Sequence, residues 1–339
     1  MCSDDNATQL EAYGAQTLME TPGTRLEWFV EDFLAIGLYI LAGAPKSGKS
    51  WLSLWLGHRI ACGQSIWDFA TRKVGVLYLA LEDNIDRIKR RLWAITDETT
   101  DDFQIVTRAG TLDDGLLDCI ARQLKDFPNI RVVFIDTLAM IRGEESDHVY
   151  SADYKVMSSL KRFAEDHRIA VVVITHTRKL GDTDVFKTVT GSVGITGGAD
   201  TTMVLTREGH MSPNATLDIT GRDTPSRELE LKFVNSVWQL VREVDAQELE
   251  ERAVAPIVHA TLDFMSGREE WVGTISELMD CLPETCRELP SVAAKHLAQF
   301  SDFMFERGVQ MEKSRKKDGR LVRLSRIRVD DGGDGDDSK

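Results

Sequence analysis

The chain has 339 residues, of which 42% are hydrophobic and 28% charged, and its formal net charge is −14 at pH 7. That length exceeds what one hydrophobic core usually organises, so we expect a large domain and a smaller one. No apolar run approaches the roughly 20 residues of a membrane-spanning helix, and the N-terminus lacks a signal or transit sequence. These features argue against a membrane protein and predict a cytoplasmic location.

The acidic balance argues against a protein that covers nucleic acid with its whole surface, but it leaves room for a local basic patch. Such a patch lies between residues 313 and 328, where only Asp318 opposes the cations Lys313, Arg315, Lys316, Lys317, Arg320, Arg323, Arg326 and Arg328. The cysteines are scattered without the spacing of a zinc site, so we expect reduced thiols. They are Cys2, Cys62, Cys119, Cys281 and Cys286.

The first 24 residues are polar and aperiodic, which predicts a flexible leader. From there to residue 175, short apolar runs alternate with longer amphipathic ones. The predicted elements are 38–42, 50–62, 74–81, 85–95, 115–127, 132–135, 156–167 and 170–175. Strands that are apolar on both faces and separated by helices predict an α/β domain, with a parallel sheet between two helical layers.

After residue 200 the pattern changes to four short strands, at 201–205, 215–219, 229–233 and 236–241, without intervening helices. We expect antiparallel hairpins that complete the sheet, in a first domain spanning 25–244. An acidic linker at 245–252 leads to a smaller domain at 253–329. Three helical periods (253–265, 274–282, 291–306) and a hairpin (309–311, 321–327) predict a winged-helix-like unit there. The Gly/Asp-rich residues 330–339 are interpreted as a disordered acidic tail.

A phosphate-binding loop is predicted between strand 38–42 and the helix that follows. The segment is Gly43-Ala44-Pro45-Lys46-Ser47-Gly48-Lys49-Ser50. Its glycines allow backbone N–H groups and the helix N-terminus to approach phosphates closely. Lys49 would neutralise the β and γ oxygens of ATP, and the Ser50 hydroxyl would bind Mg²⁺. The alternative is a glycine-rich surface turn, which the flanking strand and helix disfavour; Lys46 and Ser47 are interpreted as loop residues without side-chain chemistry.

Further carboxylates follow two of the apolar strands. Asp136 ends the run 132–135, and at the carboxyl edge of a parallel sheet beside the phosphate loop it can hold Mg²⁺ through water. Glu82 and Asp83 end the run 76–81. Glu82 is a candidate to polarise water for attack on the γ-phosphate. The alternative is that both carboxylates cap the next helix, and for Asp83 we favour that role.

His176 follows the apolar strand 170–175, so it also faces the predicted ligand edge. It is either a group that contacts the γ-phosphate and reports hydrolysis to the next loop, or a structural residue that caps the strand. The next loop, 178–198, carries Lys179, Lys187 and many Gly, Ser and Thr residues. It is either a mobile loop that contacts nucleic acid or a solvated connection.

The motifs GAPKSGKS, YLALED, VVFIDTL, VVVITH and TGSVGITGGAD occur in this order. Together they resemble the RecA-like P-loop ATPases related to the plasmid RepA hexameric helicases and, more distantly, the DnaB-type helicases. The resemblance covers residues 26–241. It implies that Glu82 is the catalytic base, that Asp136 serves magnesium and that His176 senses the γ-phosphate. It also implies ATP-driven movement on single-stranded DNA, which the core loops would bind.

The segment 219–223, ahead of strand 229–233, resembles the DnaB-type segment that supplies an arginine to the neighbouring subunit's nucleotide. This makes Arg222 the candidate arginine finger. A finger acting in trans requires head-to-tail packing, and therefore implies a homo-oligomer such as a hexameric ring. The sequence departs from the RepA helicases, because the position that matches their finger, 200–202, holds no arginine. Arg207 or Arg222 would have to take that role.

The C-terminal unit resembles, through residues 271–279, the winged-helix modules of phage and mobile-element replication proteins. This implies that the helix 291–306 approaches the major groove of duplex DNA while wing cations contact phosphate. The alternatives are a protein-docking module and a solvated hairpin, but the concentration of cations favours nucleic acid.

We therefore expect a replicative DNA helicase of a plasmid, prophage or integrated element. The alternative is an ATP-switched regulator or loader that binds DNA without unwinding it. DNA-stimulated hydrolysis with strand separation favours the first. Slow turnover that is indifferent to DNA, with nucleotide-dependent occupancy of a duplex site, favours the second. A protein-remodelling motor is disfavoured, because the charged wing would then need another explanation.

Overall fold

A computed structural model describes residues 12–23, 26–143, 149–178, 184–189, 193–209, 212–316 and 319–327. The chain divides into two compact units, Met1–Val244 and Asp245–Lys339. The tail 330–339 and most of the leader, residues 1–11 and 24, lie outside the described residues. The described part of the leader contains a short helix that buries no side chain, α1 (Ala15–Glu20).

The first unit contains helices and strands in alternation. Its helices after α1 are α2 (Lys49–Cys62), α3 (Ile85–Ile95), α4 (Leu116–Asp126), α5 (Leu138–Ile141), α6 (Val149–His167) and α7 (Val193–Gly198). Its first seven strands are β1 (Trp28–Val30), β2 (Leu34–Ala35), β3 (Gly37–Gly43), β4 (Gly75–Ala80), β5 (Phe103–Val106), β6 (Ile130–Asp136) and β7 (Ala170–Ile174). Four more strands follow: β8 (Thr201–Arg207), β9 (Asn214–Gly221), β10 (Arg227–Val234) and β11 (Val237–Val244).

Nine of these strands form one sheet in the order β11-β10-β9-β8-β3-β7-β6-β4-β5. The six strands from β8 to β5 are parallel, and β9, β10 and β11 extend the sheet by antiparallel pairing. The predicted α/β class, a mostly parallel sheet that ends in antiparallel hairpins, is therefore confirmed. Strand β3 is buried along its whole length because hydrophobic layers cover both faces of the sheet.

Three short strands were absent from the sequence-based prediction. The hairpin β1–β2 has strands of only three and two residues, and β5 has four. Segments this short carry too few side chains to show the alternation by which strands are recognised. Their pairing partners in the folded chain, rather than their own sequence, select the extended conformation.

In the described part of the second unit, the helix at its start is followed by four further α-helices and a three-stranded antiparallel sheet. The elements are α8 (Ala246–Ala253), α9 (Pro256–Met265), β12 (Glu270–Gly273), α10 (Ile275–Cys281), α11 (Pro290–Gln299), α12 (Ser301–Glu306), β13 (Val309–Lys316) and β14 (Gly319–Arg326). The strand order β12-β14-β13 places the central strand last in the chain. Buried residues from α9, α10, α11 and the hairpin form a separate core.

The acidic, helix-favouring stretch at 245–252 forms α8, whose N-cap is Asp245, and its contacts group it with the second unit. One expectation for this unit differs from the structure. The single helix predicted at 291–306 is two helices, because the backbone of Phe300 (φ −102°, ψ 25°) leaves the helical region between them. In the described ranges, no helix combines the length and apolarity needed to cross a bilayer.

Gly57 allows helix α2 to lie close to the sheet. A Cβ atom at this position would lie 2.9 Å from Cε2 of Phe103 on β5. That is shorter than a normal carbon contact, so a larger residue would push the helix and the sheet apart. Because α2 begins with Lys49, the same contact sets how the phosphate loop sits on the sheet.

Helix propensity alone favours alanine over glycine by about 1 kcal/mol. We nevertheless expect Gly57→Ala to lower the free energy of unfolding by about 1 to 3 kcal/mol, the usual cost of overpacking. Chemical denaturation of the full chain measures this. Gly197→Ala is the matched control, because a Cβ at that helical position has nothing within 4 Å and the substitution should not destabilise. A Gly57→Ala protein as stable as the control would contradict the packing argument.

Candidate functional site

The predicted site residues lie at the carboxyl edge of the parallel strands. Strand β3 runs directly into the phosphate loop, and its neighbour β7 ends two residues before His176. The strand register pairs Ala80 with Asp136 and Asp136 with Ile174. Because parallel strands end on the same edge of a sheet, Glu82, Asp136 and His176 lie beside the loop despite their separation in sequence.

The backbone of the loop has conformations that few residues adopt. Gly48 has φ 103° and Lys46 has φ 64°, both in the left-handed region. A Cβ on Gly43 would lie 2.6 Å from the carbonyl oxygen of Leu205, so only glycine fits there. The buried Ser47 hydroxyl has no hydrogen-bond partner among the described residues. A closely wound backbone with an unpaired polar atom fits the binding of phosphate oxygens.

Trp238 on β11 lies directly against this loop. Its indole Nε1 donates to the carbonyl oxygen of Gly48 at 3.3 Å, and a Cβ on Gly48 would lie 2.9 Å from its ring. Trp67 Nε1 in turn donates to the Trp238 carbonyl oxygen at 2.8 Å. The sequence-based prediction did not include Trp238 in the site. Its position in an ordinary apolar strand gives no signal of this contact.

The ammonium of Lys49 is buried within the loop. Nζ donates to the carbonyl oxygens of Gly43 at 2.7 Å and of Ala44 at 2.9 Å, and lies 3.3 Å from His176 Nδ1. Burial lowers the pKa of Lys49 to about 8, although the negative charges of Asp136 and Glu82 oppose this shift. The imidazole therefore lies against the loop lysine, and its role as a sensor of bound phosphate stays a prediction.

Asp136 is 4% exposed, and hydroxyl groups lie beside its carboxylate. Tyr78 donates to Oδ2 at 3.1 Å, and the Ser50 side chain lies close enough to the carboxylate to affect its pKa. Burial raises the pKa of Asp136, whereas the hydroxyl groups of Ser50 and Tyr78 lower it.

The Ser50 hydroxyl and the Asp136 carboxylate are the hard oxygen ligands that Mg²⁺ prefers. Among the residues that the structure describes, no group of three or more His, Cys, Asp or Glu side chains is arranged to hold a metal. This donor set therefore fits Mg²⁺ that is bound together with nucleotide phosphates rather than in a cage of protein ligands alone.

Glu82 and Asp83 have different surroundings. Thr137 Oγ1 donates to Glu82 Oε1 at 2.7 Å, which orients that carboxylate beside Asp136. Asp83 instead forms ion pairs with Arg87, at 2.6 Å, and with Arg91. The capping role predicted for Asp83 is wrong: Asn84 is the N-cap of α3 and accepts a hydrogen bond from the backbone of Arg87.

The two candidate trans-acting arginines lie at opposite ends of the sheet's strands. Arg222 follows β9 at the edge where β3 begins, roughly 20 Å from the phosphate loop for a seven-residue strand. Its side chain is 59% exposed, 3.7 Å from Asp200 and 3.4 Å from the Gly197 carbonyl oxygen. Arg207 ends β8 at the loop edge and lies over the Trp238 ring at 5.5 Å. The structure therefore does not bring Arg222 to the phosphate loop of its own chain, and its role in trans stays a prediction.

The predicted DNA-contacting segments are described only in part. In the loop 178–198, Lys187 lies 3.5 Å from Asp184, while Lys179 is outside the described residues. In the basic hairpin, Arg323 pairs with Glu270, and Arg326 donates to the Ser266 carbonyl oxygen at 2.9 Å. The described Lys313 is exposed. Outside the description lie Lys317, Asp318, Arg328 and the side chains of Arg315, Lys316 and Arg320.

Comparisons with known proteins give two kinds of match. The profile of a family described as an AAA domain matches residues 7–182, more than half of the chain. The solved structure of another protein's ATPase domain is similar with a TM-score of 0.51 and 16% identity, over 61% of this chain and 85% of that chain. A DnaB-like replicative helicase, solved in a study of its interactions with primase, matches with a TM-score of 0.51 and 15% identity.

The match to the helicase covers 61% of this chain and 59% of the helicase chain. At such identities the likeness concerns the fold, and it confirms the predicted RecA-like P-loop NTPase class for the first unit. No curated protein matched the chain.

The pKa of Lys49, about 8, predicts a pH dependence of nucleotide binding. Phosphate anions stabilise the ammonium, so binding above that pH must be accompanied by proton uptake. Affinity for an ATP analogue should show no loss from Lys49 below about pH 8. Above it, affinity should fall by up to tenfold for each pH unit as the free protein loses this proton. Titration calorimetry between pH 7 and 9.5, in buffers of different ionisation enthalpy, measures both the affinity and the proton uptake.

Lys49→Arg is the matched variant, because a guanidinium stays charged over this whole range. Its affinity for the analogue should change much less between pH 8 and 9.5, whatever its absolute value. Equal pH dependence of the two proteins would show that another group titrates.

Proposed function

Because the chain belongs to the AAA-domain family, we propose that it is an oligomeric DNA-dependent ATPase, a RepA-like replicative helicase of a plasmid, prophage or integrated element. It binds ATP with Mg²⁺ and couples hydrolysis to movement on single-stranded DNA. The observation that carries the proposal is the assembly of Lys49, Asp136, Glu82 and His176 at one sheet edge around a phosphate loop.

The roles follow from the contacts. Backbone N–H groups around Gly48 bind the phosphates. The Lys49 ammonium gives up its hydrogen bonds to the loop carbonyl oxygens and binds the β and γ phosphate oxygens of ATP instead. Ser50 and Asp136 would hold Mg²⁺, which when bound neutralises charge that develops on the phosphates. Lys49 is in contact with His176, so a change in the lysine's partners is transmitted to the start of the loop 178–198.

Glu82 is the better general base of the two neighbouring carboxylates. Asp83 is engaged by two arginines, one on each carboxylate oxygen, which limits its freedom to reorient and to accept a proton from water. Glu82 has a single hydrogen bond among the described residues, from Thr137 to Oε1, and this leaves Oε2 to accept a proton from an attacking water.

The position of Arg222 supports a finger that acts between subunits. It is exposed and lies on the edge opposite the phosphate loop, so it can meet a nucleotide only on another copy of the chain. Head-to-tail packing that repeats this contact closes into a ring, which we propose to be a hexamer. The ion pair with Asp200 holds the guanidinium until that partner arrives.

For the second unit we propose a winged-helix module that binds duplex DNA. Its helices and the sheet order β12-β14-β13 support this, with the hairpin β13–β14 as the wing. The cations of that hairpin suit phosphate contacts in a chain whose formal net charge is otherwise strongly acidic.

Glu82→Gln keeps the size and hydrogen bonding of the side chain but removes its basicity. We expect ATP turnover to fall by about 10²- to 10⁴-fold, the usual contribution of a general base, while nucleotide affinity is retained. Phosphate release with and without single-stranded DNA measures this, and Asp83→Asn is the neighbouring control, expected to lose less than tenfold. Wild-type turnover that DNA does not stimulate, with nucleotide-dependent occupancy of a duplex site, would instead support the regulator or loader.

Arg222→Ala should abolish most DNA-stimulated turnover but leave nucleotide affinity unchanged, because the guanidinium stabilises the transition state from the neighbouring subunit. Mixing this variant with a Lys49→Ala protein should restore part of the activity, since mixed interfaces place an intact arginine beside an intact phosphate loop. Turnover of the mixture that equals the sum of the separate variants would rule out action in trans.

A further inference from the structure

Tyr78 lies beneath the proposed metal site. It is on β4, 1% exposed, and its hydroxyl lies 3.1 Å from Oδ2 of Asp136 and 2.8 Å from Oγ of Ser53. Its ring also stacks with Phe134, two residues before Asp136 on β6, at 5.7 Å between centroids. The ring is therefore held in place by packing, and its one polar atom faces a carboxylate.

The donor and the acceptor can be assigned in each hydrogen bond that Tyr78 forms with Asp136 and Ser53. A phenol carries its proton at neutral pH, and the Tyr78 hydroxyl has the geometry of a donor to Oδ2 of Asp136. An ionised carboxylate only accepts hydrogen bonds, so the phenol donates to Asp136. A hydroxyl has one proton, and Ser53 must therefore donate to the Tyr78 oxygen.

These hydrogen bonds also involve α2, the helix that follows the phosphate loop. Ser53 and Ser50 are three residues apart on α2 and lie on the same helix face. Ser50 lies near Asp136, and Ser53 is joined to it through Tyr78. Hydrogen bonds through Tyr78 thus connect the carboxylate on β6 to the second turn of α2.

We propose that Tyr78 is a positioning residue for the metal-binding carboxylate: by donating to Oδ2 it holds the Asp136 carboxylate in place, so that the other oxygen would be left for Mg²⁺. This rests on the proposed ATPase function and extends it to a tyrosine that lies outside the phosphate loop and is not among the predicted site residues. Groups that orient a metal-binding side chain typically contribute 10- to 100-fold to metal affinity or activity. Ser53 supports Tyr78 from the other side and should contribute less.

Tyr39 provides a matched control in the same sheet. It is also a buried tyrosine, and its hydroxyl accepts a hydrogen bond from the backbone N–H of Ala35 at 2.7 Å. No contact joins it to Asp136 or the phosphate loop among the described residues. Tyr39→Phe therefore removes a buried, hydrogen-bonded hydroxyl, as Tyr78→Phe does, without touching the proposed site.

The experiment compares Tyr78→Phe, Ser53→Ala and Tyr39→Phe in the full chain. Affinity for a non-hydrolysable ATP analogue is measured by calorimetry with Mg²⁺ and with EDTA, and Mg²⁺ is titrated at fixed analogue concentration. For Tyr78→Phe we expect affinity with Mg²⁺ to fall by about tenfold or more and the half-saturating Mg²⁺ concentration to rise by a similar factor. Affinity in EDTA should not change.

Ser53→Ala should shift the Mg²⁺ titration in the same direction by a smaller factor, which retains the test if Tyr78→Phe folds poorly. Tyr39→Phe should leave both affinities as in the wild type. The proposal is overturned if Tyr78→Phe and Ser53→Ala titrate Mg²⁺ like the wild type, or if affinity falls equally with Mg²⁺ and with EDTA. A wild-type chain that binds no nucleotide in either condition would instead refute the proposed function, and the metal role of Tyr78 with it.

Discussion

The rest of the site depends on the contacts that hold the buried ammonium of Lys49. A buried cation is costly unless it is paired and hydrogen-bonded, and here two loop carbonyl oxygens and a histidine nitrogen surround it. The negative charges of Asp136 and Glu82 also act on it. A phosphate anion can replace the carbonyl contacts with stronger, charge-assisted ones, so the same burial that lowers the lysine's pKa makes the loop selective for polyanionic ligands.

The parallel sheet makes this arrangement possible. Loop residues and carboxylates that are far apart in the chain meet because β3, β7, β6 and β4 end at one edge. Packing then fixes the loop from the other side, where Trp238 covers Gly48 and Gly57 admits the ring of Phe103 beneath α2. The antiparallel strands after residue 200 therefore complete the sheet and also support the phosphate loop through β11.

Each unit carries cationic groups with a proposed role at a particular place on its surface. Arg222 is exposed at the strand ends opposite the loop and lies 3.7 Å from Asp200, and it is from this position that we propose it acts on a neighbouring copy. The second unit concentrates cations on a hairpin with its own small core behind it. In an acidic chain, such local concentrations restrict contact with anionic partners to particular faces rather than to the whole surface.

The sequence by itself determined the fold class, the phosphate loop and the carboxylates that follow apolar strands, because each depends on local periodicity or on spacing within a few residues. Only the tertiary structure decided which groups orient them. Trp238 meets Gly48 across 190 positions, Tyr78 meets Asp136 across 58, and Thr137 meets Glu82 across 55. Contacts over such separations depend on strand order and register, which hydrophobic patterns in one sequence do not specify.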